Sequence, residues 1–439
     1  MVEELKGISE QVRRHAGQKA QNLASSINVE VLLAIHEEMD GKKAPGIDGV
    51  TKADYTLGIM PKIESLVTRM KHEAYKPQAS RRTYIEKPGS NKKRPLGISC
   101  YEDKLVETAV AQLLEIVYEP IFKDCSYGFR PGRNCHQAIK KVINEIQSHK
   151  VNYVVEADIR SFFDMLDHEW LIKFLEHDIA DRKFISIIQR QLKAGIMEDG
   201  KHLDSEAGTP QGGCASTILA NVYLHYVLDL WFNAAVRKGQ YRGEAYLTRY
   251  ADDFVACFQY KEDAEKFYDT LGNRMAQFGL ALAPEKTRIL EFGRFAEQNR
   301  SNRGEGKPET FSFLGFTFYC SKDRTQSRFR VKVKSDRKKT ASKLKKMNIW
   351  IKEHRHRFNV KEMINRINRT LQGYYNYYAV TDNLANVAAF RFHVVRLLFK
   401  WLNRRSQRKS YSWLEFNDLL TRLPIDTPKL KHCLYATTR

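Results

Sequence analysis

Three aspartates stand where predicted strands end. Asp158 closes the segment VNYVVEADI (151–159), which is rich in β-branched residues. Asp252 and Asp253 occupy a tight turn between the two strands of YLTRYADDFVACF (246–258). Carboxylates on rigid elements that stay open to substrate suit Mg²⁺, which prefers hard oxygen ligands. Two such ions can activate a hydroxyl and hold a triphosphate, so the pattern favours nucleotidyl transfer on a polynucleotide.

The neighbouring segments predict the elements that must position these aspartates. An Asp-Asp pair alone is weak evidence, because turns favour Asp for local hydrogen bonds. Here the pair lies between two apolar strands. The remaining pattern predicts strands at 81–98 (a basic hairpin) and 311–318, a loop at 297–310, and helices at 103–122, 215–236, 262–278, 335–353, 360–378 and 386–402.

The net charge of +21 is confined to one end of the chain. Residues 1–320 contain 44 basic and 44 acidic residues, whereas residues 321–439 contain 29 basic and 8 acidic ones. The positive charges of such a block repel each other unless a polyanion is bound, so RNA, DNA and an anionic membrane are the candidate partners. The alternative is a basic surface that is only solvated.

The cysteines and the hydropathy pattern bear on the compartment. The seven cysteines are scattered, and none forms a C-x-x-C pair, which argues against structural zinc and a disulfide framework and for a reducing compartment. No apolar run approaches about 18 residues, and MVEELKGISE at the start has no apolar core of a signal peptide. We therefore expect a cytoplasmic protein without a membrane span.

The order of the motifs resembles that of the reverse transcriptases. Tyr250-Ala251-Asp252-Asp253 is similar to their catalytic signature, and further ordered blocks are similar to theirs. The upstream segments are typical of the group II intron subfamily. The blocks with this resemblance, covering about residues 30–402, are APGIDGV, EKPGSNKKRPLGI, YGFRPGR, VVEADIRSFFDMLDH, AGTPQGGCASTILANVYL, FGLALAPEKTRI and FSFLGFTF.

The resemblance implies an α+β fold, a right-hand polymerase. Residues 1–320 would form the fingers and a palm with an antiparallel sheet, 321–402 a basic helical thumb (maturase X), and 403–439 a short basic tail like a DNA-binding region. We expect no endonuclease module after Trp413. The implied function is an RNA-directed DNA polymerase with two Mg²⁺ ions, for which Mn²⁺ can substitute, and with maturase activity in splicing and mobility of a group II intron.

The resemblance also implies roles for individual residues. The predicted metal ligands and catalytic residues are Asp158, Asp252 and Asp253. The predicted nucleotide-binding residues are Lys87, Arg94, Phe163, Gln211 and Lys286, with Phe163 stacked below the sugar and Lys286 able to protonate pyrophosphate. The predicted primer grip is Phe313, Leu314 and Gly315. The predicted template or RNA contacts are Lys92, Lys93, Arg130, Arg133, Arg337, Lys338 and Lys339.

Several of these residues have a plainer interpretation that the sequence leaves open. Phe163 is also consistent with an ordinary core residue, and Lys286 with an exposed lysine after a helix. Lys92 and Lys93 are equally consistent with a solvated turn. The tyrosines of GYYNYY (373–378) either stack on nucleic acid or pack the helices of the thumb.

The implied partners are a group II intron RNA, an RNA template with a DNA primer, deoxynucleoside triphosphates and target DNA, in the bacterial cytoplasm or nucleoid. The resemblance leaves the oligomeric state open. Two alternatives remain: a domesticated reverse transcriptase in host DNA repair or phage defence, and an RNA-binding splicing factor that does not need the polymerase. The intact carboxylates Asp158, Asp252 and Asp253 argue against the second.

Overall fold

The first half of the chain combines several helices with short strands. The computed structural model describes residues 18–86, 93–204, 207–209, 212–323, 325, 327–406 and 410–435. The elements before the first aspartate are α1 (Val29–Glu38), α2 (Lys52–Thr56), α3 (Ile59–Lys71), β1 (Ser80–Glu86), β2 (Lys93–Ile98), α4 (Tyr101–Tyr118), α5 (Cys135–Ser148) and β3 (Tyr153–Asp158). The helix predicted at 103–122 is therefore confirmed, as is the strand that ends on Asp158.

The middle of the chain carries the second half of the site. It consists of α6 (Phe162–Met165), α7 (His168–Asp178), α8 (Arg182–Lys193), β4 (Ile196–Glu198), β5 (Lys201–Leu203), α9 (Ser216–Leu224), α10 (Leu230–Arg237), β6 (Ala245–Tyr250), β7 (Asp253–Phe258), α11 (Lys261–Gln277) and β8 (Arg288–Glu291). A π-helical turn, His225–Asp229, joins α9 to α10. One continuous helix was expected there; the wider turn directs Asp229 into the interior.

The end of the chain is mostly helical. It consists of α12 (Ala296–Asn302), β9 (Phe311–Phe313), β10 (Phe316–Lys322), β11 (Phe329–Ser335), α13 (Arg337–His354), α14 (Val360–Tyr378), α15 (Leu384–Leu402) and α16 (Trp413–Arg422). Helices α13 to α15 confirm the three that the periodicity predicts. Among the described residues, none of the helices combines the length and the apolar character needed to cross a bilayer.

Three sheets divide the strands. The N-terminal sheet has the order β2-β1-β4-β5, the central sheet β6-β7-β3-β8 and the C-terminal sheet β11-β10-β9. All pairs are antiparallel except a short parallel contact between β1 and β4. The fold is therefore mixed α+β with mainly antiparallel sheets. This agrees with the α+β class that the sequence predicts.

Both faces of the central sheet are buried, against different partners. Alternate residues of a strand point to opposite faces. On β7, Phe254 and Ala256 pack into a core built largely from α1, α4, α7 to α9 and α11, whereas Val255 and Cys257 pack into a second core shared with α5, the C-terminal sheet and α13 to α15. The aspartates at the strand ends are thus held between two packed layers.

Two local predictions differ from the structure. The polar segment at 297–310 was expected to be a loop, but α12 occupies its first part, because Ala296 is buried and anchors that turn. The segment at 311–318 was expected to be one strand, but Leu314 and Gly315, both with positive φ, fold it into a hairpin of β9 and β10. The predicted domain boundary at residue 320 falls within β10, and the β10–β11 hairpin continues to Ser335.

Candidate active site

The three aspartates meet at one end of the central sheet. Asp158, the last residue of β3, is the direct cross-strand partner of Asp253, the first residue of β7. Directly opposed residues of an antiparallel pair have their Cβ atoms about 5 Å apart. Asp252 precedes Asp253 in the turn between β6 and β7, where Ala251 has a φ of +56°. The structure therefore brings together the aspartates that the sequence singled out.

Arg249 holds this turn from inside the protein. Its guanidinium is fully buried and pairs in a bidentate manner with Asp229, at 2.8 Å from Nε to Oδ1 and 2.5 Å from Nη2 to Oδ2. It also donates to the carbonyl oxygen of Ala251 at 3.1 Å, to Asn221 and to the Ser126 hydroxyl. A donor on the Ala251 carbonyl stabilises a left-handed residue that costs free energy by itself.

The segment YGFRPGR packs behind the same turn. Residues 125–127 run alongside β6, with Arg249 N–H donating to the Cys125 carbonyl and Tyr127 N–H donating to the Arg249 carbonyl. A Cβ built on Gly128 would lie 2.4 Å from the Ala251 amide nitrogen, so only glycine fits there. The glycine of this motif therefore allows the close backbone contact with the turn that carries Asp252.

Burial and mutual repulsion raise the carboxyl pKa values at the turn. Burial raises the pKa of Asp253 to about 7, and the charges of Asp252 and Asp158 act in the same direction. Burial also raises the pKa of Asp252, with the Asp158 charge adding to it and the Arg94 and Lys286 charges opposing it. Clustered carboxylates of this kind are stabilised in their charged form by a cation.

Lys286 supplies one such cation from the polypeptide itself. Its ammonium group forms a short ion pair with Asp158 Oδ2, and its side chain stays half exposed. Burial alone would lower the pKa of Lys286, but the hydrogen bond and the charge of Asp158 raise it above the ordinary value. The lysine thus lies at the carboxylates and keeps its proton, while its predicted role in nucleotide binding stays a prediction.

The β9–β10 hairpin contacts the carboxylates with its backbone. The backbone amide of Leu314 favours the charged form of Asp253 and so acts to lower the pKa of that carboxyl. The Leu314 carbonyl accepts a hydrogen bond of 2.7 Å from the Tyr377 hydroxyl. A Cβ on Gly315, whose φ is +79°, would lie 3.0 Å from the Tyr378 hydroxyl oxygen. Phe313, in contrast, is buried in the second core, so the turn and not Phe313 faces the site.

The tyrosines of GYYNYY pack the protein. Tyr374, Tyr375 and Tyr378 are buried, and Tyr374 stacks on Phe390 with ring centroids 3.9 Å apart. Tyr377, half-buried, stacks against Phe316. Of the two interpretations that the sequence left open, the structure supports packing of the C-terminal helices.

The predicted nucleotide-binding residues are partly within the described chain. Phe163 is partly buried against the first core, and its carbonyl accepts a hydrogen bond from the Thr209 amide. Arg94 is exposed on β2, and its charge reaches Asp252. Gly212, with a φ of +116°, approaches the Gly97 carbonyl of β2, which joins the AGTPQGG segment to the N-terminal sheet. Lys87, Lys92 and Gln211 lie outside the described residues.

Of the predicted template contacts, the two arginines of YGFRPGR have other partners. Arg130 is buried, pairs in a bidentate manner with Glu119 at 3.0 and 2.8 Å, and donates to the carbonyls of Lys123 and Ser126. Arg133 pairs with Asp124 and donates to the Ser126 carbonyl. The structure gives a template contact by Arg130 no support, since its guanidinium is enclosed and occupied.

The remaining predicted contacts are exposed cations around the cleft. Lys93 is exposed on β2, and Arg337, Lys338 and Lys339 are exposed in the first turn of α13. The charge of Lys339 acts on Asp253. Farther along α13, Lys346 reaches Glu86 on β1 at 3.5 Å. Basic side chains thus border the carboxylates from two directions.

The donor set fits a divalent cation that also binds substrate. Asp158, Asp252 and Asp253 offer hard oxygen atoms, and burial together with mutual repulsion raises the pKa values of Asp252 and Asp253. Across the parts of the chain that the structure describes, however, no three His, Cys, Asp or Glu side chains form a cluster that could hold an ion by themselves. A hard cation held by one or two carboxylates would complete its coordination shell with waters and substrate phosphates.

Sequence reasoning missed Arg249 and Asp229. The available signal was a charged residue inside an otherwise apolar strand, next to the aspartates: a buried arginine requires a paired acid. The acid that pairs with Arg249 could not be identified from this signal, because Asp229 lies in the π-helical turn between α9 and α10 and not in the strand that carries Arg249.

Comparison with protein families places the site in context. Residues 85–318, more than half of the chain, match the model "Reverse transcriptase (RNA-dependent DNA polymerase)", and residues 338–416 match "Group II intron, maturase-specific domain". The chain belongs to the group II intron reverse transcriptase/maturases. All three aspartates and the β9–β10 hairpin turn lie inside the reverse transcriptase match, and α13 to α15 lie almost wholly inside the maturase match.

Curated relatives agree with this family. The chain is 44% identical over 173 residues to the group II intron-encoded protein LtrA of Lactococcus lactis subsp. cremoris, which covers 38% of this chain and 28% of LtrA. It is 26% identical to a 91 kDa protein in the cob intron of Schizosaccharomyces pombe, over 76% of this chain and 47% of that protein. It is 32% identical to protein YkfC of Escherichia coli, over 49% of this chain and 63% of YkfC. The chain thus spans less than two thirds of each of these relatives.

Proposed function

We propose that this reverse transcriptase family member is an active RNA-directed DNA polymerase that also serves as the maturase of a group II intron RNA. The single observation that carries the polymerase is the register of the central sheet, which sets Asp158 opposite Asp253 with Asp252 in the adjoining turn. The maturase-specific match at 338–416 and the basic surface of the same region support the second activity.

The proposed anatomy is that of a right hand. The central sheet is the palm, the N-terminal sheet with its exposed Lys93 and Arg94 belongs to the fingers, and α13 to α15 form the thumb. The β9–β10 turn is the primer grip, in which Leu314 acts through its backbone. Because the β10–β11 hairpin is continuous to Ser335, we place the start of the thumb at Arg337.

The polar residues then have distinct tasks in the reaction. Two Mg²⁺ ions, or Mn²⁺ in their place, would be held by Asp158, Asp252 and Asp253 and would supply activation of the primer hydroxyl and neutralisation of the leaving pyrophosphate. Arg94 offers the triphosphate a guanidinium, whose planar fork matches phosphate oxygens. Lys286 holds its proton beside Asp158, at the place where a leaving pyrophosphate needs one.

Phe163 is proposed to select deoxynucleotides. It is partly buried in the short helix that follows Asp158, while its neighbour Phe162 is buried and packs edge-on against it, with ring centroids 5.5 Å apart. A fixed ring at this position can exclude a 2′-hydroxyl by steric clash. The proposed substrates are therefore deoxynucleoside triphosphates on an RNA template with a DNA primer, and target DNA is the proposed primer in intron mobility.

The test is primer extension by the full chain on an annealed RNA template with Mg²⁺. Asp252→Asn removes a charge from the proposed metal site, and we expect extension to fall by several orders of magnitude while RNA binding is retained. Asp269→Asn, an exposed acid on α11, is the matched control and should extend normally. Near-normal extension by Asp252→Asn would contradict the metal assignment.

The maturase proposal is tested on RNA. Replacing Arg337, Lys338 and Lys339 together by Gln removes three exposed charges and should weaken binding of the intron RNA and flatten its dependence on salt. Selectivity is measured by comparing how tightly the parent protein binds that RNA with how tightly it binds an unrelated RNA of equal length. Equal binding of both RNAs would remove the maturase role and leave the polymerase untouched.

A further inference from the structure

A groove of about 870 Å³ lies on the C-terminal helices. Residues of α13 and α15 form its walls, and Trp413, the first residue of α16, closes one side. Four cationic side chains line it, namely Lys345, Arg396, Lys400 and Arg404. The match to the maturase-specific domain covers this region without assigning the groove a ligand.

The charge of the groove is not neutralised by the protein. Lys345, Arg396, Lys400 and Arg404 are exposed, and their side chains form no ion pair with other described residues. Among the described residues that line the groove there is no Asp or Glu. Four like charges around one groove repel each other unless an anion lies between them, so the groove attracts a polyanion.

An aromatic platform lies beside these cations. Trp413 is 46% exposed and stacks on Phe399 with ring centroids 3.9 Å apart and an angle of 14° between the planes. Phe416, which is buried, packs edge-on against both rings. The indole is therefore held in a fixed orientation although almost half of it is open to solvent, which is the property of a surface on which a nucleobase stacks.

The groove lies on a different face of α13 from the catalytic cleft. Lys339 lies near Gly315 of the primer-grip turn, and Lys343 lies near the rings of Tyr374 and Tyr378. Leu344, Lys345 and Asn348 line the groove. At about 100° per residue, the centres of these two sets lie roughly half a turn apart around the helix. A ligand in the groove is thus separate from a template–primer at the carboxylates.

We propose that this groove binds a single-stranded segment of RNA, with backbone phosphates on the four cations and one unpaired base stacked against Trp413. A duplex keeps its bases stacked inside and cannot offer one to the indole, whereas loops and bulges of a folded RNA can. The choice of RNA rests on the proposed maturase function. Beyond that function, the inference states which part of the RNA is recognised at this groove, namely an unpaired loop.

The experiment uses the full chain and a short fluorescently labelled oligoribonucleotide. Trp413→Ala should weaken binding about tenfold, which is the usual size of one base–aromatic stack. Trp413→Phe keeps an aromatic ring and should restore most of the affinity. Leu414→Ala removes the neighbouring, more exposed apolar side chain and serves as the control, with unchanged affinity expected.

Charge is tested separately. Lys400→Glu should weaken binding and lower the slope of log affinity against log salt by at least about 0.7, the value for one lost phosphate contact on a single strand. Lys183→Glu, an exposed lysine on α8, should do neither. Incorporating 5-fluorotryptophan gives a direct readout: the fluorine signal that disappears in Trp413→Phe should shift when the oligonucleotide is added.

The outcomes decide between the ligands. Equal affinity of the parent and Trp413→Ala, or an unmoved Trp413 signal, would overturn the inference. So would a duplex RNA that binds with the same dependence on Trp413, or a preference for DNA of the same sequence. Primer extension by the parent, measured on the same preparation, reports on the polymerase alone, so failure of the groove and failure of the proposed enzyme are distinguished.

Discussion

The Tyr377 hydroxyl donates a 2.7 Å hydrogen bond to the Leu314 carbonyl, and the backbone amide of Leu314 acts to lower the pKa of Asp253. One peptide turn therefore lies between the α14 helix and a carboxylate of the proposed metal site. Leu314 has a φ of +50°, a conformation that a leucine adopts only when its surroundings hold it there.

Tyr377→Phe is predicted to loosen this turn. Loss of one hydrogen bond should cost about 1 kcal/mol of folding free energy, and the apparent KM for the primer should rise severalfold because the proposed grip is less ordered. Steady-state extension at varied primer concentration measures this. The control is Tyr246→Phe, which removes a hydroxyl that donates a hydrogen bond to Glu244 at the far end of the central sheet. An equal rise in the primer KM of this variant would show that the change does not depend on the β9–β10 turn.

Phe163→Ala is predicted to admit ribonucleotides. The partly buried ring is the proposed barrier to the 2′-hydroxyl, so its removal should lower the ratio of deoxynucleotide to ribonucleotide incorporation by about one to two orders of magnitude, equivalent to about 1–3 kcal/mol. Single-nucleotide extension with each substrate gives the ratio. Discrimination equal to that of the parent would identify Phe163 as a core residue only.

Arg130→Ala is predicted to act on stability. It removes the buried partner of Glu119 and the donors to two carbonyls, and we expect a loss of about 2 kcal/mol, less than for a fully enclosed pair because Glu119 is partly exposed. Urea unfolding measures the loss. Arg337→Ala, which removes an exposed cation, should leave stability unchanged and weaken RNA binding. If instead Arg130→Ala left stability unchanged and weakened RNA binding, Arg130 would be a template contact.

His225 is predicted to make stability depend on pH. The side chain is fully buried in the π-helical turn, and neither ring nitrogen has a hydrogen-bond partner in the described part of the chain. Burial lowers the pKa of His225 to about 4. Because the folded pKa lies below the ordinary 6.5, the unfolded chain binds the proton first, and stability is lost as the pH falls from about 6.5 to 4, by on the order of 3 kcal/mol.

His225→Phe should remove that part of the pH dependence. Phe keeps the edge-on contact with Phe122, which has a centroid distance of 5.5 Å in the parent, and cannot be protonated. Urea unfolding at pH 7.5 and at pH 5 compares the two proteins, and the difference between the pH values should be smaller in the variant. An unchanged difference would mean that other groups cause the acid sensitivity.

The sequence by itself determined the family, the aspartates and most of the elements. Asp158 and Asp252–Asp253 were found because strand ends and turns carry local signals, and the basic helices because their periodicity is local too. What only the tertiary structure decided depends on partners distant in the chain. Tyr377 meets Leu314 across 63 residues, and Arg130 was predicted as a template contact because its enclosure by Glu119 and two carbonyls has no local signature. Charge and aromatic content can be read from the chain, but packing decides whether a given arginine or tyrosine faces nucleic acid or the core.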